Sequence, residues 1–549
     1  MKIKHPKYIF VVGGVMSGVG KGIASSSIGK ILQARGLEVT AVKIDPYVNV
    51  DAGTMSPTEH GEVFVLADGM ECDQDMGNYE RFLDRELTRA NYMTTGSIYL
   101  SVIEKERALK FGGRQVEVVP RIPLEVIDRI QKAAARSKAE VIITEIGGTV
   151  GEYENLLFLE AVRMLKIKHP EDVVVVLVSF VPAIGAGGTE LKTKPTQHAV
   201  RSLNSVGIHP DIILARASIP LDEKRKEKLQ FMCSIEPGDV ISAPDVSSVY
   251  EVPVNFERDA LSDRILRKLS LRPRGHDLRA WSAFVRTIRR AKREVHIGVV
   301  GKYFDTGAFI LADSYISVIE AVKHAAYFFG RKPVLEWLNA ETFERDKRAL
   351  HDLDRYDGVI VPGGFGSRGV EGKILAARHC RTNKIPYFGL CYGMQLALVE
   401  FARSVLRLKG AHTTEVAPRT VHPVIDIMPE QKVNMAKARY GATMRLGAYP
   451  ADIALGTIAR RAYGSRRVLE RHRHRYEVNP DYIVRFEQAG IIFSGASPDR
   501  RLMEIMELPR RTHPFFVGTQ FHPEFTSRPL RPNPLFREFM RAAITRRKR

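Results

Sequence analysis

The first half of the chain alternates short apolar runs with polar or amphipathic stretches of helical length. The apolar runs YIFVVGG (8–14), AEVIITEIGG (139–148) and DVVVVLVSFV (172–181) are rich in β-branched residues. Continuous apolar strands separated by helices are typical of a parallel sheet that is covered on both faces. We therefore predict an α/β domain built on a mainly parallel sheet with helices on both sides.

This alternation stops over residues 268–294, where charged residues dominate and strand signals are weak. It resumes with VHIGVVGKY (295–303) and IPYFGLCYGMQLALVEFA (385–402). We therefore predict a first domain over residues 1–267, a linker that carries a helix, and a second α/β domain of the same class over residues 295–549. A chain of 549 residues is long enough for such a division.

The charge and the cysteine content limit which cell compartments and which partners are expected. The 83 basic and 63 acidic residues give a net charge of +20, which favours anionic partners such as nucleoside triphosphates. The basic runs lack interleaved aromatic residues, so we predict no nucleic-acid partner. Four separated cysteines indicate a reducing compartment, and the longest apolar run is shorter than the roughly 20 residues of a membrane span. We predict a cytoplasmic protein without a membrane partner.

A glycine-rich stretch after the first predicted strand is similar to a phosphate-binding loop but departs from the usual motif twice. In VVGGVMSGVGKGIASSSIGK (11–30), Gly20 and Lys21 match the motif. Val15 stands in place of the first glycine, and Gly22 stands in place of the hydroxyl that usually binds magnesium. Glycines let backbone N–H groups approach phosphate oxygens at a helix N-terminus. A tight chain reversal is the alternative interpretation of this loop taken alone.

Two carboxylates can compensate for the missing hydroxyl. Glu145 ends a predicted buried strand, where an unpaired charge is costly, and Asp75 lies in an acidic loop. Because carboxylate oxygens are ligands that Mg²⁺ accepts, we predict both as metal ligands. A solvated surface acid is the alternative for Asp75. The cluster GGTELKTKPTQHAV (187–200) predicts a second anionic ligand, with a plain basic loop as the alternative.

The second half contains the parts of a cysteine nucleophile site. Cys391 lies at a sharp turn between a buried strand and a helix, where the helix N-terminus favours a thiolate. A cysteine nucleophile needs a base and an orienting group, and His522 and Glu524 occupy alternate positions of an extended segment. Gly363 and Gly364 end another strand and predict an oxyanion hole. The predicted chemistry is acyl transfer through a thioester, most simply amide hydrolysis.

Together these motifs make the sequence similar to the CTP synthase family, from residue 8 to about residue 536. The similarity rests on GGVMSGVGKG, KIDPYVNVDAGTMSPTEHGEVFV, EIGGTVGE, KTKPTQH, GLCYGMQ, RHRHRYEVN and QFHPEF. It implies a synthetase domain with a dethiobiotin-synthetase-like P-loop ATPase fold, whose phosphate loop has this variant form. It also implies a class I glutamine amidotransferase domain at the C-terminal end.

The resemblance implies an activity, the final step of de novo CTP synthesis. ATP phosphorylates the 4-oxygen of UTP, and ammonia that is released from glutamine and passed internally displaces the phosphate. Mg²⁺ is the implied cofactor, GTP the allosteric activator and CTP the feedback inhibitor. The implied assembly is a homotetramer whose interfaces complete the nucleotide sites.

The resemblance also implies roles for individual residues. Cys391, His522 and Glu524 match the amidotransferase triad, and Asp75 and Glu145 match the magnesium ligands. The implied ATP contacts are Gly18, Val19, Gly20, Lys21, Gly22, Ile23, Lys43, Asp75, Pro244, Asp245 and Val246. The implied UTP or CTP contacts are Ser17, Glu152, Tyr153, Glu154, Lys192, Thr193, Lys194, Pro195, Thr196, Gln197 and Lys228. The implied glutamine contacts are Gly364, Tyr392, Gly393, Met394, Gln395, Glu415 and Arg475.

Three positions depart from the family pattern. Arg121 stands where a histidine is usual, Ile316 where a lysine is usual, and Glu152 where an aspartate is common. We expect Arg121 to affect nucleotide handling in the synthetase half. We expect Ile316 to weaken the coupling between the two sites.

Two other kinds of protein share part of this pattern. A cobyrinic acid amidating synthetase also pairs a related ATPase half with a glutaminase half, but residues 192–198 and 55–65 favour UTP as the substrate. A ParA-like ATPase would use its positive charge to hold DNA, and its DNA affinity would fall steeply with salt. Such a protein would not need Cys391, His522 and Glu524.

Overall fold

The computed structural model describes residues 5–184, 190–301, 312–429, 431 and 441–547. The chain divides into two compact units, and each of them is discontinuous in sequence. The first unit consists of Met1–Asp51 and Asp75–Val285, and the second consists of Ala52–Gln74 and Arg286–Arg549. A short segment from the N-terminal part of the chain therefore belongs to the second unit.

The elements follow one another in two series. Up to residue 290 they are β1 (Lys7–Gly13), α1 (Lys21–Ala34), β2 (Val39–Asp45), α2 (Pro57–His60), β3 (Phe64–Val65), β4 (Glu71–Cys72), α3 (Asp75–Leu83), β5 (Tyr92–Thr94), α4 (Thr95–Arg107), α5 (Val118–Ser137), β6 (Val141–Ile146), α6 (Leu156–Lys168), β7 (Val173–Phe180), β8 (Ala183–Ile184), β9 (Glu190–Leu191), α7 (Lys194–Ser205), β10 (Ile212–Ala217), α8 (Glu223–Cys233), β11 (Val240–Pro244), α9 (Val252–Arg258), α10 (Leu261–Lys268) and α11 (Arg279–Arg290). Beyond it they are β12 (Glu294–Gly301), α12 (Ile316–Phe328), β13 (Lys332–Asn339), α13 (Ala340–Arg345), β14 (Gly358–Val361), α14 (Val370–Thr382), β15 (Tyr387–Leu390), α15 (Tyr392–Ser404), β16 (His412–Thr413), β17 (Pro423–Ile427), β18 (Arg445–Ile453), α16 (Ile458–Tyr463), β19 (Arg467–His474), β20 (Tyr476–Val478), α17 (Pro480–Gln488), β21 (Ile492–Ala496), β22 (Met503–Glu507), β23 (Phe516–Thr519) and α18 (Pro534–Arg547). Among the described helices, none combines the length and apolarity needed to cross a bilayer.

The first unit is built on a seven-stranded sheet with the order β11-β10-β7-β1-β6-β2-β5. All of its strand pairings are parallel. Successive residues of β1 enter different cores: Phe10 packs with α5 and α6, whereas Ile9 and Val11 pack with α1 and α10. A strand that buries both faces needs apolar residues at every position, which is why these strands read as continuous apolar runs. The predicted fold class is confirmed.

The second unit contains a nine-stranded sheet with the order β13-β12-β14-β15-β23-β22-β21-β18-β19. The five strands from β13 to β23 are parallel, and Val359 and Ile360 of β14 enter cores on opposite faces. The other four strands extend the sheet with antiparallel pairings. This antiparallel extension was not predicted, because strands such as RVLERHRH (467–474) mix charged and apolar residues.

The helix predicted within the linker is present as α11. Its buried residues Trp281, Phe284 and Val285 form one apolar face, and Trp281 Nε1 donates a hydrogen bond to the carbonyl of Tyr250 at 2.8 Å. The Trp281 ring also packs against Phe82, with ring centroids 5.1 Å apart. Helix α11 is therefore anchored to the first unit through its aromatic residues.

Candidate active sites

The phosphate loop joins β1 to α1 at the carboxyl edge of the first sheet. Gly18 and Gly20 have φ values of +71° and +86°, in the region that favours glycine. Gly20 precedes the first helical residue and carries no side chain to cap it, so the N–H groups of the first turn face the loop. Lys21 Nζ donates to the carbonyl of Gly148 at 2.7 Å, and burial lowers the pKa of this lysine despite nearby carboxylates. These features match an anion-binding loop with a cation at its base.

Asp75 explains why Gly22 replaces the usual hydroxyl residue. A methyl group at Gly22 would lie 1.9 Å from Asp75 Oδ1 and 2.6 Å from its Cγ. A serine or threonine side chain in this position would therefore collide with the Asp75 carboxylate. The carboxylate occupies the place where the common motif has its hydroxyl.

Lys43 lies between the two predicted metal ligands. The strand register pairs Lys43 with Glu145, and Lys43 Nζ donates to Glu145 Oε1 at 2.9 Å and to Asp75 Oδ2 at 2.6 Å. Tyr79 OH donates to the other oxygen of Glu145. Burial raises the pKa of Glu145, whereas at Asp75 the charge and hydrogen bonds of Lys43 outweigh burial and lower the pKa.

These residues fit a magnesium ion that is shared with phosphate groups. Asp75 and Glu145 offer two carboxylates beside the loop, and no group of three or more metal-binding side chains occurs among the described residues. Mg²⁺ commonly takes one or two carboxylates and completes its shell with water and substrate phosphates. The donor set is therefore the type expected for a nucleotide-bound cation.

Arg216 is a residue of this site that sequence reasoning missed. It lies near the end of β10, donates to the carbonyls of Ala243 and Pro244 at 2.8 and 3.1 Å, and pairs with Asp245 at 2.8 Å. A methyl group at Gly20 would lie 3.8 Å from its Nε. The structure thus places the predicted Pro244 and Asp245 beside the phosphate loop, with Val246 half-buried next to them. The only available signal was an arginine within an apolar strand.

Four of the predicted pyrimidine-nucleotide residues, Lys194 to Gln197, form the first turn of α7. Thr196 accepts a hydrogen bond from Ser179 Oγ at 3.0 Å, and a methyl group at Gly14 would lie 2.7 Å from that oxygen. Gln197 is buried and donates to Thr193 Oγ1 at 3.2 Å, while its Oε1 has no hydrogen-bond partner within the described ranges. The start of α7 therefore adjoins the phosphate loop. Residues 187–189, where the predicted cluster begins, lie outside the described residues.

The remaining pyrimidine-nucleotide candidates are less tightly held. Glu152 accepts hydrogen bonds from the backbone and hydroxyl of Thr149 at 3.0 and 2.7 Å, and Lys192 pairs with Glu190. Pro195 is half-buried in the first turn of α7. In the described part of the chain, five exposed residues make no side-chain hydrogen bond or ion pair: Ser17, Tyr153, Glu154, Lys194 and Lys228.

Cys391 lies at a strained turn between β15 and α15. Its φ and ψ are +50° and −100°, an unfavourable combination for a residue with a side chain, and its N–H donates to the carbonyl of Thr519 at 2.6 Å. A methyl group at Gly393 would lie 2.0 Å from the carbonyl of Val361. Glycine at this position lets the helix approach the sheet, which presents the thiol at the carboxyl edge.

His522 and Glu524 form the pair that was predicted beside the thiol. His522 follows β23, the parallel neighbour of β15, and its Nδ1 lies 2.7 Å from Glu524 Oε1. Burial opposes protonation of the ring, but the charges of Glu524 and Cys391 outweigh burial and raise the pKa of His522 to about 10. The arrangement favours an imidazolium ion, with Nε2 as the ring nitrogen left for Cys391.

A cavity of about 340 Å³ adjoins Cys391. Five of the seven residues predicted to contact glutamine line it, namely Gly364, Tyr392, Gln395, Glu415 and Arg475. Gly393 and Met394 do not line it. Met394 is fully buried, and a methyl group at Gly518 would lie 2.8 Å from its Cβ. Gly363 lies next to the imidazole of His522, since a methyl group at Gly363 would be 3.0 Å from His522 Cε1.

Gln520 is a further side chain at the thiol that sequence reasoning missed. Its Nε2 lies 3.6 Å from Cys391 Sγ, and its Oε1 accepts from Gln395 Nε2 at 3.2 Å. Gln395 also donates to the carbonyl of Tyr476 at 2.9 Å. Gln520 stands two residues before His522, and this adjacency was the available signal.

The segment Ala52–Gln74 supplies one wall of a second, smaller cavity beside Cys391. This cavity has a volume of about 70 Å³, and Pro57, Glu62 and Val63 line it together with His522. The segment is held by Arg473, whose Nε lies 2.8 Å from Glu71 Oε1. Sequence reasoning assigned these residues to the first half of the chain and did not connect them with the thiol.

Two of the three departures from the family pattern, Arg121 and Ile316, have different surroundings. Arg121 lies in α5 with its guanidinium 5.1 Å from the centroid of the Phe111 ring. Ile316 is the first residue of α12 and is half-buried. Nothing in the structure explains the replacement at residue 316.

Comparisons with known proteins find matches along nearly the whole chain. Residues 7–271 match the family model described as CTP synthase N-terminus, and residues 310–542 match glutamine amidotransferase class-I. CTP synthases of Thermococcus gammatolerans and Geobacillus kaustophilus are 50% and 49% identical over 543 and 541 residues, which cover 98% of this chain and 99% of each relative. A solved structure of the glutaminase domain of Trypanosoma brucei CTPS with bound acivicin is 37% identical, with a TM-score of 0.42, and the match covers 46% of this chain and 94% of that one.

Proposed function

The chain belongs to the CTP synthase family, and we propose that its two sites convert UTP to CTP with ATP as phosphoryl donor and glutamine as nitrogen donor. One observation carries this proposal: a cysteine–histidine–glutamate site and a nucleotide-type phosphate loop with two carboxylates occur on one chain. A ParA-like DNA-binding role would not account for the site formed by Cys391, His522 and Glu524. Similarity over 98% of the chain to CTP synthases favours UTP over a cobyrinate substrate.

In the second unit, Cys391 acts as the nucleophile. Its thiolate attacks the side-chain amide carbon of glutamine, and His522 donates its proton to the nitrogen as the C–N bond breaks. Backbone N–H groups at Gly363 and Gly364 would stabilise the oxyanion. Water that is deprotonated by His522 then hydrolyses the thioester, which releases glutamate and regenerates the thiol. Glu415 and Arg475, which line the cavity, would bind the charged amino acid end of glutamine.

In the first unit, the phosphate loop and Lys21 hold the phosphates of ATP, and the residues around Pro244 hold the adenine end. The 4-oxygen of UTP attacks the terminal phosphorus, and ADP leaves. Ammonia then attacks carbon 4 and phosphate departs, because a phosphorylated oxygen is a better leaving group than a carbonyl oxygen. Asp75 and Glu145 would hold Mg²⁺, which would neutralise charge on the phosphates when bound. Lys43 holds both carboxylates in position.

The pyrimidine nucleotide lies, in this proposal, against residues 192–197, with Ser17, Lys228 and residues 152–154 contacting UTP or the inhibitor CTP. The exposure of Tyr153 and Lys228 supports completion of this site by another copy in a homotetramer. GTP would activate the glutaminase reaction, and the protein would act in the cytoplasm. We assign synthesis to residues 1–267 and glutamine hydrolysis to residues 295–549, with a linker between them.

The test measures CTP formation from UTP, ATP and Mg²⁺, once with glutamine and once with ammonium chloride. The native chain should make CTP from both nitrogen sources. If ATP is hydrolysed but neither source yields CTP, the assignment of UTP is wrong and a cobyrinate-type substrate should be tested. Omitting UTP provides the control for uncoupled ATP hydrolysis.

A further inference from the structure

We propose that the second unit binds a phosphate-bearing anion at the amino ends of β15 and β23. A groove of about 310 Å³ opens at this edge. Four of its lining side chains are cationic, namely Lys384, Arg510, Arg511 and Arg546. Among the described residues that line the groove there is no carboxylate. This inference goes beyond the proposed function and does not depend on it.

The four cations come from three separate parts of the chain. Lys384 lies in the turn between α14 and β15, Arg510 and Arg511 lie in the turn between β22 and β23, and Arg546 lies in the last turn of α18. Since β15 and β23 are parallel neighbours, their amino ends meet at one edge. Cys391 follows the other end of β15, roughly 13 Å away along a four-residue strand. The groove is therefore separate from the glutaminase site.

Three of the four cations have no side-chain partner among the described residues. In the part of the chain that the structure describes, the side chains of Lys384, Arg510 and Arg511 make no ion pair or hydrogen bond. Arg546 Nη2 donates to the carbonyl of Asp354 at 3.3 Å, but its Nη1 is buried without a partner among these residues. A buried N–H without an acceptor is costly, and clustered cations raise the local positive potential.

Nearby carboxylates do not neutralise this cluster. Asp354 pairs with His379 at 2.8 Å, and Glu400 pairs with Arg381 at 2.8 Å. A larger groove of about 800 Å³ in the first unit differs in this respect, because its lining Arg274 pairs with the lining Glu140 at 2.5 Å. An anion from solution would supply the acceptors that the protein does not provide.

The chemistry of the groove favours phosphate groups. Guanidinium groups donate paired N–H bonds that match phosphate oxygens, and an ammonium adds a compact charge. The volume is about ten times the roughly 30 Å³ that a water molecule occupies in the liquid. This leaves room for a short chain of phosphate groups, either as free oligophosphate or as the phosphate chain of a nucleotide.

The experiment uses the full chain with Lys21→Ala, which weakens phosphate binding at the loop of the first unit. Inorganic tripolyphosphate is titrated by calorimetry without Mg²⁺. The double variant Lys384→Ala/Arg511→Ala, made in the same background, should lower the affinity at least about tenfold, because two charge-assisted contacts are lost. The matched control is Arg407→Ala/Lys409→Ala, which removes the same charge from exposed positions elsewhere. This control should change the affinity by less than about twofold.

Two outcomes would overturn the proposal: no binding of tripolyphosphate in the Lys21→Ala background, or equal losses in the groove variant and the control. Melting temperatures measured without ligand check whether both variants remain folded. The milder single variant Arg511→Gln should give an intermediate loss. A second arm titrates ATP: affinity equal to or above that of tripolyphosphate supports a nucleotide phosphate chain, and lower affinity supports free oligophosphate.

Discussion

The two candidate sites both stand at the carboxyl edge of parallel strands, but they differ in how far the protein alone completes them. Around Cys391, the predicted base, its carboxylate partner and a cavity lie together, and His522 Nδ1 lies 2.7 Å from Glu524 Oε1. Around the phosphate loop, Lys43 holds two carboxylates that are the predicted metal ligands. The first site therefore contains the groups that the proposed reaction with an uncharged amide needs. In the second site, the ammonium of Lys43 is paired with the carboxylates of Asp75 and Glu145, and the proposed ionic ligands would replace these contacts.

This difference reflects the charge of the substrates. An amide brings no net charge to the reacting atoms, so the glutaminase site needs only an internal ion pair. The proposed ligands of the other site, nucleoside triphosphates and Mg²⁺, would bring large opposite charges, and a buried site must balance its own charge without them. The buried Lys43 and Glu145 and the half-buried Asp75 offset part of each other's charge in this way.

The largest effect is expected from Cys391→Ala. Loss of the nucleophile should reduce glutamine-dependent CTP formation at least about a thousandfold, while ammonia-dependent formation persists. Both rates are measured by following CTP. Cys380→Ala is the control, because that thiol is buried elsewhere in the same unit and its burial raises its pKa. Equal loss with ammonia would show that the two sites are not separable.

Glu145→Gln should give the complementary result. Removing this carboxylate leaves Lys43 and Asp75 without their third charge and should lower CTP formation about a hundredfold with either nitrogen source. Glutamine hydrolysis should be retained. The control is the exposed Glu171→Gln. If glutamine supported a normal rate in Glu145→Gln, the predicted role of this residue as a metal ligand would be wrong.

Glu524→Gln should change the pH dependence of glutamine hydrolysis. The pKa of His522 is raised to about 10, so the ring stays an imidazolium ion up to about that pH. The stabilisation of the folded state by its ion pair with Glu524 is lost as the pH rises through this value. Without the Glu524 charge, burial dominates and the pKa of His522 falls. The alkaline limb should move to lower pH, and the rate at pH 8 should fall about thirtyfold. Ammonia release is measured from pH 6 to 10.5, and an unmoved limb would contradict the pairing.

Two glycine variants compare the sites by adding one methyl group to each. Gly22→Ala should displace Asp75 and lower ammonia-dependent CTP formation about tenfold, whereas Gly363→Ala should press on His522 and lower glutamine hydrolysis several-fold, by about 1 kcal/mol. Each variant should leave the other half-reaction intact. If Gly22→Ala slowed glutamine hydrolysis, or Gly363→Ala slowed ammonia-dependent CTP formation, the two sites would not be separate.

The sequence predicted the elements that depend on local pattern. Continuous apolar runs predicted the parallel sheets, and the flanking glycines predicted the sharp turn at Cys391. Contacts that depend on strand register could not be predicted, because Lys43 contacts Glu145 only through the register in which β2 pairs with β6. Arg216 and Gln520 carry no motif of their own. The roles assigned to the nucleotide and glutamine contacts remain predictions.

The path of the chain also limits how this protein can be divided. Residues 52–74 lie inside the sequence of the first unit yet complete a wall beside Cys391. A single cut at any peptide bond therefore leaves portions of both units on one fragment. A glutaminase fragment produced from residue 286 onward would have its small cavity open to water where Pro57, Glu62 and Val63 normally stand. Ammonia formed there would escape and be protonated. Splitting this gene between its two halves would therefore separate residues 52–74 from the rest of the unit to which they belong.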